Sequence, residues 1–179
     1  KNVSISIDNK YGDVIIDNGV VLAVKNDYDM TVSGDWTSSG IYQAGLSTVT
    51  FNGSATQNIA TVGGETFYDL VVNKPTGNLE MGSNIDITNT VTLIDGNLDL
   101  NTSDLDILDG ASIIGGDASS YFQADNVGVL RYQLTTLGDS IVFPLGDVND
   151  YSPFGFKLIS GTVDATSAVT INLRDNKHT

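Results

Sequence analysis

Apolar residues along this chain recur at every second position, in short segments. Val21/Ala23, Tyr42/Ala44, Leu79/Met81 and Leu98/Leu100 share one parity. In the segments that follow them, Tyr28/Met30, Val49/Phe51, Ile85/Ile87 and Leu105/Ile107 do the same. Such alternation places these side chains on one face of a strand and the intervening residues on the other. Gly, Asn and Asp separate the segments, and these residue types suit tight turns. No apolar run approaches the ~20 residues that a membrane-spanning helix requires.

The segments repeat. Matching frames open at Gly19, Gly40, Gly77 and Gly96, which are 21, 37 and 19 residues apart. The longest spacing reads as two periods, with a less tidy unit between them built from Gln57–Ile59, Gly63-Gly64 and Phe67–Val72. Five units of about 20 residues then cover positions 19–115. A unit this short cannot bury its own apolar face, whereas stacked units share one continuous core. The pattern predicts an all-β chain, a right-handed parallel β-solenoid, with five coils standing roughly 24 Å tall at ~4.8 Å per coil. The alternative is an antiparallel β-sandwich, which also has short strands at close intervals; the shared parity across units favours the solenoid. From Ser119 the repeat fades and aromatics gather, among them Tyr121, Phe122, Tyr132, Phe143, Tyr151, Phe154 and Phe156. The expected organisation is a solenoid with N-terminal strands over 1–118 and a β-rich capping module over 119–179, since an open solenoid end exposes strand edges.

Composition narrows the function classes. The 179 residues carry a formal charge of −14, and the 22 acids divide into 20 Asp and 2 Glu (Glu65 and Glu80). Asp, Asn and Gly disfavour helices. An acidic chain without a basic patch is a poor partner for nucleic acid. The absence of Cys excludes disulfides and thiol chemistry. The chain opens on Lys1 and already alternates at Val3, Ile5 and Ile7, so it reads as a piece of something longer.

Several motifs together carry a resemblance: Gly34-Asp-Trp36, Thr48-Val-Thr-Phe-Asn-Gly53, Gln57-Asn-Ile59, Thr66-Phe-Tyr-Asp-Leu70-Val-Val-Asn73 and Val91-Thr-Leu-Ile-Asp-Gly-Asn-Leu98. They are followed by Gly128-Val-Leu-Arg131, Phe143-Pro-Leu-Gly146 and Tyr151-Ser-Pro153. Over roughly 30–175 the chain resembles the repetitive β-helical region of large secreted surface proteins of Bacteroidetes, many exported by the type IX secretion system. The resemblance implies an extracellular or cell-surface, adhesin-like module whose partners are surface glycans or other cell-surface proteins. It carries over no catalytic or ligand residue, and the chain holds no C-terminal sorting domain of that family.

Candidate chemistry is sparse. If the repeats align, Asp27/Asp29, Thr48/Thr50, Asn84/Asp86 and Asp104/Asp106 form an outward ladder. Its carboxylates Asp27, Asp29, Asp86, Asp104 and Asp106 suit Ca²⁺, a cation that takes oxygen ligands; a solvated acidic face is the plainer reading. Asp147-Val-Asn149-Asp150 lacks the EF-hand frame and reads as an Asx-rich turn. Thr48/Thr50 and Thr90/Thr92 resemble the Thr rows of ice-binding solenoids, interrupted here by Asp and Asn. Trp36, with Tyr42 close by, offers a stacking platform for sugar rings, although core packing suits both. Catalysis finds little: His178, the sole His, is next to the last residue, and Arg131 and Arg174 lie far from the repeats. Asp27/Asp29 and Asp104/Asp106 remain the carboxylate pairs a polysaccharide-active enzyme would use. The expected role is non-catalytic.

Overall fold

The computed structural model describes residues 1–134, 138, 140–164 and 166–173. The chain is an all-β solenoid of about seven turns, with no helix among the described residues. The first coil comprises β1 (Asn2–Ile5), β2 (Asn9–Tyr11) and β3 (Val14–Ile16). The second holds β4 (Val21–Val24), β5 (Met30–Val32) and β6 (Trp36–Ser38), and the third β7 (Ile41–Gln43), β8 (Thr48–Phe51) and β9 (Gln57–Thr61). In the fourth, β10 (Glu65–Asn73) bends round a corner before β11 (Leu79–Met81); in the fifth, β12 (Ile85–Asp95) does the same before β13 (Leu98–Asp99). Next come β14 (Leu105–Ile107), β15 (Ser112–Gly115) and β16 (Phe122–Gln123), then β17 (Leu130–Gln133), β18 (Ser140–Phe143) and β19 (Leu145–Gly146). The last strands among the described residues are β20 (Phe154–Lys157) and β21 (Ala168–Ile171).

Three faces result, each a parallel ladder. The first runs β1, β4, β7 and resumes with the N-terminal part of β10, then the start of β12, β14 and β17. The second runs β2, β5, β8, the later part of β10, the later part of β12, and β15. The third runs from β3 through β6, β9, β11, β13 and β16 to β19. Paired residues lie between 19 and 25 positions apart in sequence. Inward rows are apolar from coil to coil: Val32, Phe51, Val72 and Leu93 on the second face, and Leu79, Leu98, Phe122 and Leu145 on the third. All eight are buried, and each stabilises the stack by about 1.5–3 kcal/mol.

The parallel ladders exclude the β-sandwich. They also move two sequence expectations. Gly19 and Gly40 open strands of the first face, whereas Gly77 and Gly96 open strands of the third. The spacing of 37 therefore conceals a slip of one face, and the repeat units line up in two sets rather than one. The boundary expected at residues 118/119 lies inside the parallel stack, since β16, β17 and β19 all continue it. Of the aromatics that suggested a separate module, Phe122 and Phe143 are fully buried in the same interior and Tyr132 and Phe156 pack against it, whereas Phe154 is exposed. Capping begins later, where β21 adds antiparallel to β17 and β18 pairs antiparallel with β20.

At the corners the strand ladders stop, and short side chains take over. Asp8 Oδ1 accepts the N–H of Asp29, whose own Oδ1 accepts the N–H of Thr48. Asp13, Asp35 and Asn58 form a second relay, and Asn84, Asp104 and Val129 a third, with N···O distances of 2.9–3.1 Å. Each relay joins successive coils through one carboxylate or amide oxygen per corner. Asp104→Asn keeps that acceptor and should leave stability nearly unchanged, whereas Asp104→Ala leaves Val129 N–H unpaired and should cost about 1 kcal/mol in urea unfolding. Asp104→Glu, one methylene too long for the corner, should fall with the Ala variant.

Candidate functional site

The first face has one interruption. No ladder rung joins β7 to Glu65–Phe67; β7 pairs only with β4, and this part of β10 only with β12. Four aromatic rings meet in the interior at this level. Trp36 lies edge-on to Tyr42, Phe67 and Phe51, with centroids 4.8, 5.4 and 6.5 Å away.

Glu65 faces inward at this gap. In its row the next three coils place Ile85, Leu105 and Leu130, so a carboxyl occupies a position the pattern reserves for an aliphatic side chain. Its partner explains it: Trp36 is fully buried, and its Nε1–H donates to Glu65 Oε2 at 3.0 Å. A buried indole N–H without an acceptor would be costly. Burial pushes the Glu65 carboxyl above its usual range, against the bond from Trp36. The other oxygen, Oε1, has one contact, from the N–H of Thr66 at 3.4 Å. Burial likewise pushes the Tyr42 phenol up to about 12, opposed by its 3.0 Å bond with Ser47 Oγ.

A polar cavity of about 310 Å³ opens here, lined by Tyr42, Gly63, Gly64, Glu65, Thr66, Asn84 and Asp86. Gly63 and Gly64 have φ of 91° and 97°, a backbone that side-chain-bearing residues rarely adopt, and they leave one wall as bare main chain. Asp86 is half-buried and belongs to an outward row Thr66, Asp86, Asp106, Arg131. Arg131 Nη1 bonds Asp106 Oδ2 at 2.9 Å. Burial raises the Asp86 carboxyl, Asp106 beside it adds to the rise, and Arg131 opposes it.

A second interior polar group lies at the corner between the second and third faces. Lys74, with no exposed surface, donates from Nζ to Gly53 O, Ala55 O and Gln57 Oε1 at 2.8–2.9 Å. Gln57 in turn donates to the carbonyls of Val32 and Gly34 and accepts from Gly53 N–H. Burial lowers the Lys74 ammonium to about 8, against the pull of Asp35. It remains protonated at neutral pH, with one acceptor for each hydrogen.

The residues singled out in the sequence fall elsewhere or act otherwise. Trp36 and Tyr42 are buried, so neither offers a ring face to a sugar. The five candidate calcium ligands do not form one ladder. Asp27 and Asp29 precede the second face, Asp86 and Asp106 lie on the first, and Asp104 stands at the corner leading into it. The one-face slip in the repeat separates them, and Asp29 and Asp104 already accept N–H groups from the next coil. Among the described residues no three His, Cys, Asp or Glu converge as metal ligands. Thr48/Thr50 and Thr90/Thr92 do share the second face, but the intervening coil presents Asp69 and Val71. Asp69 is itself bonded to Asn89 and Thr90. In the 147–150 turn, Asp147 Oδ1 accepts the N–H groups of Asn149 and Asp150. Arg174 and His178 lie outside the described residues.

Sequence reasoning missed Glu65 and Lys74. The available signal for Glu65 was its parity with Phe67, which places one of only two Glu residues inward. Comparisons of the chain with family models, with curated proteins and with solved structures return no match.

Because the folded carboxyl of Glu65 titrates above its unfolded value, the folded state binds more protons over that window. Stability should therefore fall as pH rises from about 4.5 through the folded value. Glu65→Gln keeps an acceptor for the indole and should flatten part of this slope, leaving the shares due to Asp86 and Asp99. Glu65→Leu should cost about 1–3 kcal/mol at every pH, because Trp36 N–H loses its partner. Urea midpoints of the three proteins between pH 4 and 8 read both effects. Lys74→Met strands the carbonyls of Gly53 and Ala55 and should cost about 3 kcal/mol in the same assay.

Proposed function

We propose that the chain is an extracellular structural and adhesive module of a bacterial surface protein, a stiff spacer that displays its faces and catalyses no reaction. The observation that carries this reading is the stacking of the coils. Two unbroken parallel ladders, a third with a single interruption, one apolar interior and relays of corner bonds hold the coils together. Such a unit resists bending because deforming one coil disturbs its bonds to both neighbours. The likeness of its sequence motifs to the β-helical regions of Bacteroidetes surface proteins supports the location and the adhesive role. The acidic exterior suits a surface that stays hydrated and does not self-associate.

At least one carboxylate of each pair that would serve a polysaccharide-active enzyme is committed to structure. Asp29 and Asp104 hold the next coil, and Asp106 is paired with Arg131. A general acid and base need free oxygens facing a substrate. Incubation with neutral and acidic polysaccharides should yield neither new reducing ends nor unsaturated products, and beads coated with the chain should be retained on arrays of surface glycans or cell-surface proteins. Product formation in proportion to added protein would overturn the non-catalytic reading, and loss of retention on every array would overturn the adhesive one.

A further inference from the structure

We propose that the turn Asn18-Gly19 is a site of covalent modification, at which the backbone nitrogen of Gly19 closes on the Asn18 side chain, expels ammonia and leaves an aspartyl or isoaspartyl linkage. The reaction needs only water and is independent of the spacer role.

The chain has two Asn-Gly pairs, and the fold treats them differently. Asn18 and Gly19 are the central residues of the exposed turn between β3 and β4, closed by Val20 N–H on Asp17 O at 3.0 Å. Among the described residues, neither the Asn18 carboxamide nor the Gly19 N–H has a hydrogen-bond partner. Gly19 has a φ of 75°, and no heavy atom lies within 4 Å of the place a Cβ would take, so nothing crowds its nitrogen from that side. At Asn52-Gly53 the same atoms are committed. Gly53 is buried, its N–H donates to Gln57 Oε1 at 2.7 Å, and its carbonyl accepts from Lys74 Nζ at 2.9 Å. The Ser33 carbonyl fills the place a Cβ would take there, so the main chain cannot swing towards the carboxamide.

Gly19 N–H gives its proton to hydroxide, and the nitrogen attacks Asn18 Cγ. A C–N bond forms, the bond from Cγ to the carboxamide nitrogen breaks, and that nitrogen leaves as ammonia with a proton from water. Water then opens the five-membered imide. Attack at Cγ gives Asp; attack at the main-chain carbonyl carbon gives isoaspartate, in which the main chain runs through Cβ and Cγ. A similar exposed turn holds Asp109-Gly110, with Ala111 N–H on Leu108 O at 2.9 Å and Gly110 at φ 81°. A carboxylate, already negative, repels the approaching nitrogen anion, so the carboxamide is what makes the first turn reactive.

The isoaspartyl product adds one methylene to a corner that has no room for it. Gly40 of the next coil sits so close that a Cβ there would lie 2.5 Å from both Asp17 O and Val20 O. Ile41 N–H also takes Val20 O, at 2.9 Å. Lengthening the corner moves these carbonyls against the coil that rests on them, whereas the aspartyl product only adds a charge.

Trypsin cleaves after Lys10 and Lys25 and releases the site in one peptide, residues 11–25. After incubation of the folded protein in warm, mildly alkaline buffer, that peptide should show the mass of NH₂ exchanged for OH. Part of it should resist an Asp-specific endoproteinase at position 18, as isoaspartate does. Asn52 should convert at least about tenfold more slowly, because it reacts only when its corner opens. The aged protein should melt earlier than fresh protein, whereas aged Asn18→Ser and fresh Asn18→Asp, which both lack the extra methylene, should melt with fresh protein. An unchanged peptide, or Asn52 converting as fast as Asn18, would remove the site. Isoaspartate at position 18 without an earlier melt, or an equally early melt in aged Asn18→Ser, would overturn the strained corner.

Discussion

A parallel stack of short strands cannot satisfy its own corners. Between one strand and the next the backbone turns, its N–H groups leave the ladder plane, and the coil above must find another way to hold them. At several corners the answer is one short oxygen-bearing side chain placed a coil below the N–H it serves, while Thr61 and Asp109 N–H are met from the coil above by Ser83 and Gln133. Asp29, Asp35 and Asp104 each do this twice over, since the N–H of each is held by the coil before and its carboxylate holds the coil after. Register follows from these relays as much as from the apolar rows. A strand shifted by one residue would turn its inward side chains outward, and it would also remove every corner acceptor from its donor. The preference for Asp over Glu is a matter of reach. An Asp or Asn oxygen spans the step between coils, and a longer side chain overshoots it.

The interior obeys the same demand for partners, and its polar residues show how far. Lys74 meets three acceptors with three hydrogens and closes the corner over Gln57. Asn172 Nδ2 stands among the carbonyls of Ala124, Asn126 and Gly128 and shares its two hydrogens between them, the shorter bonds going to Asn126 and Gly128. No buried side-chain polar atom among the described residues lacks a partner. Glu65 differs in one respect. It satisfies the Trp36 indole at the level where the aromatic cluster sits and where β7 and β10 share no rung, and a polar gap opens beside it.

Strand parity and a repeat near 20 residues were legible in the sequence because both follow from local rules: alternation fixes a face, and Gly, Asn and Asp fix a turn. The phase between repeats was not legible. Gly40 and Gly77 look alike locally, yet they begin strands on different faces, because each coil has three corners and any of them can carry the same turn signal. The calcium ladder failed for that reason. The aromatics after Ser119 misled in another way. Phe122 and Leu98 are ladder partners in one interior row, and a change of residue type there fills the interior without ending the stack. Glu65 and Lys74 stayed hidden because their meaning depends on partners far away in sequence, Trp36 in one case and the Gly53–Gln57 corner in the other.

The charge of −14 takes on a different meaning once each carboxylate has a position. Like charges stacked a few ångströms apart repel, and a solenoid with one acidic row along a face would strain against itself. This chain distributes many of its acids over corners, where backbone N–H dipoles face them, and it sets carboxylates directly in register in two rows. In one, Arg131 neutralises Asp106 from one side, while Thr66 leaves Asp86 without a counter-charge on the other, at the level where the ladder is open. In the other, Glu80 stands beside Asp99, whose carboxyl is raised by burial and by Asp125 against the bond from Asn101 N–H. The repulsion that the fold's own groups leave unrelieved is therefore shared between the first face and the third.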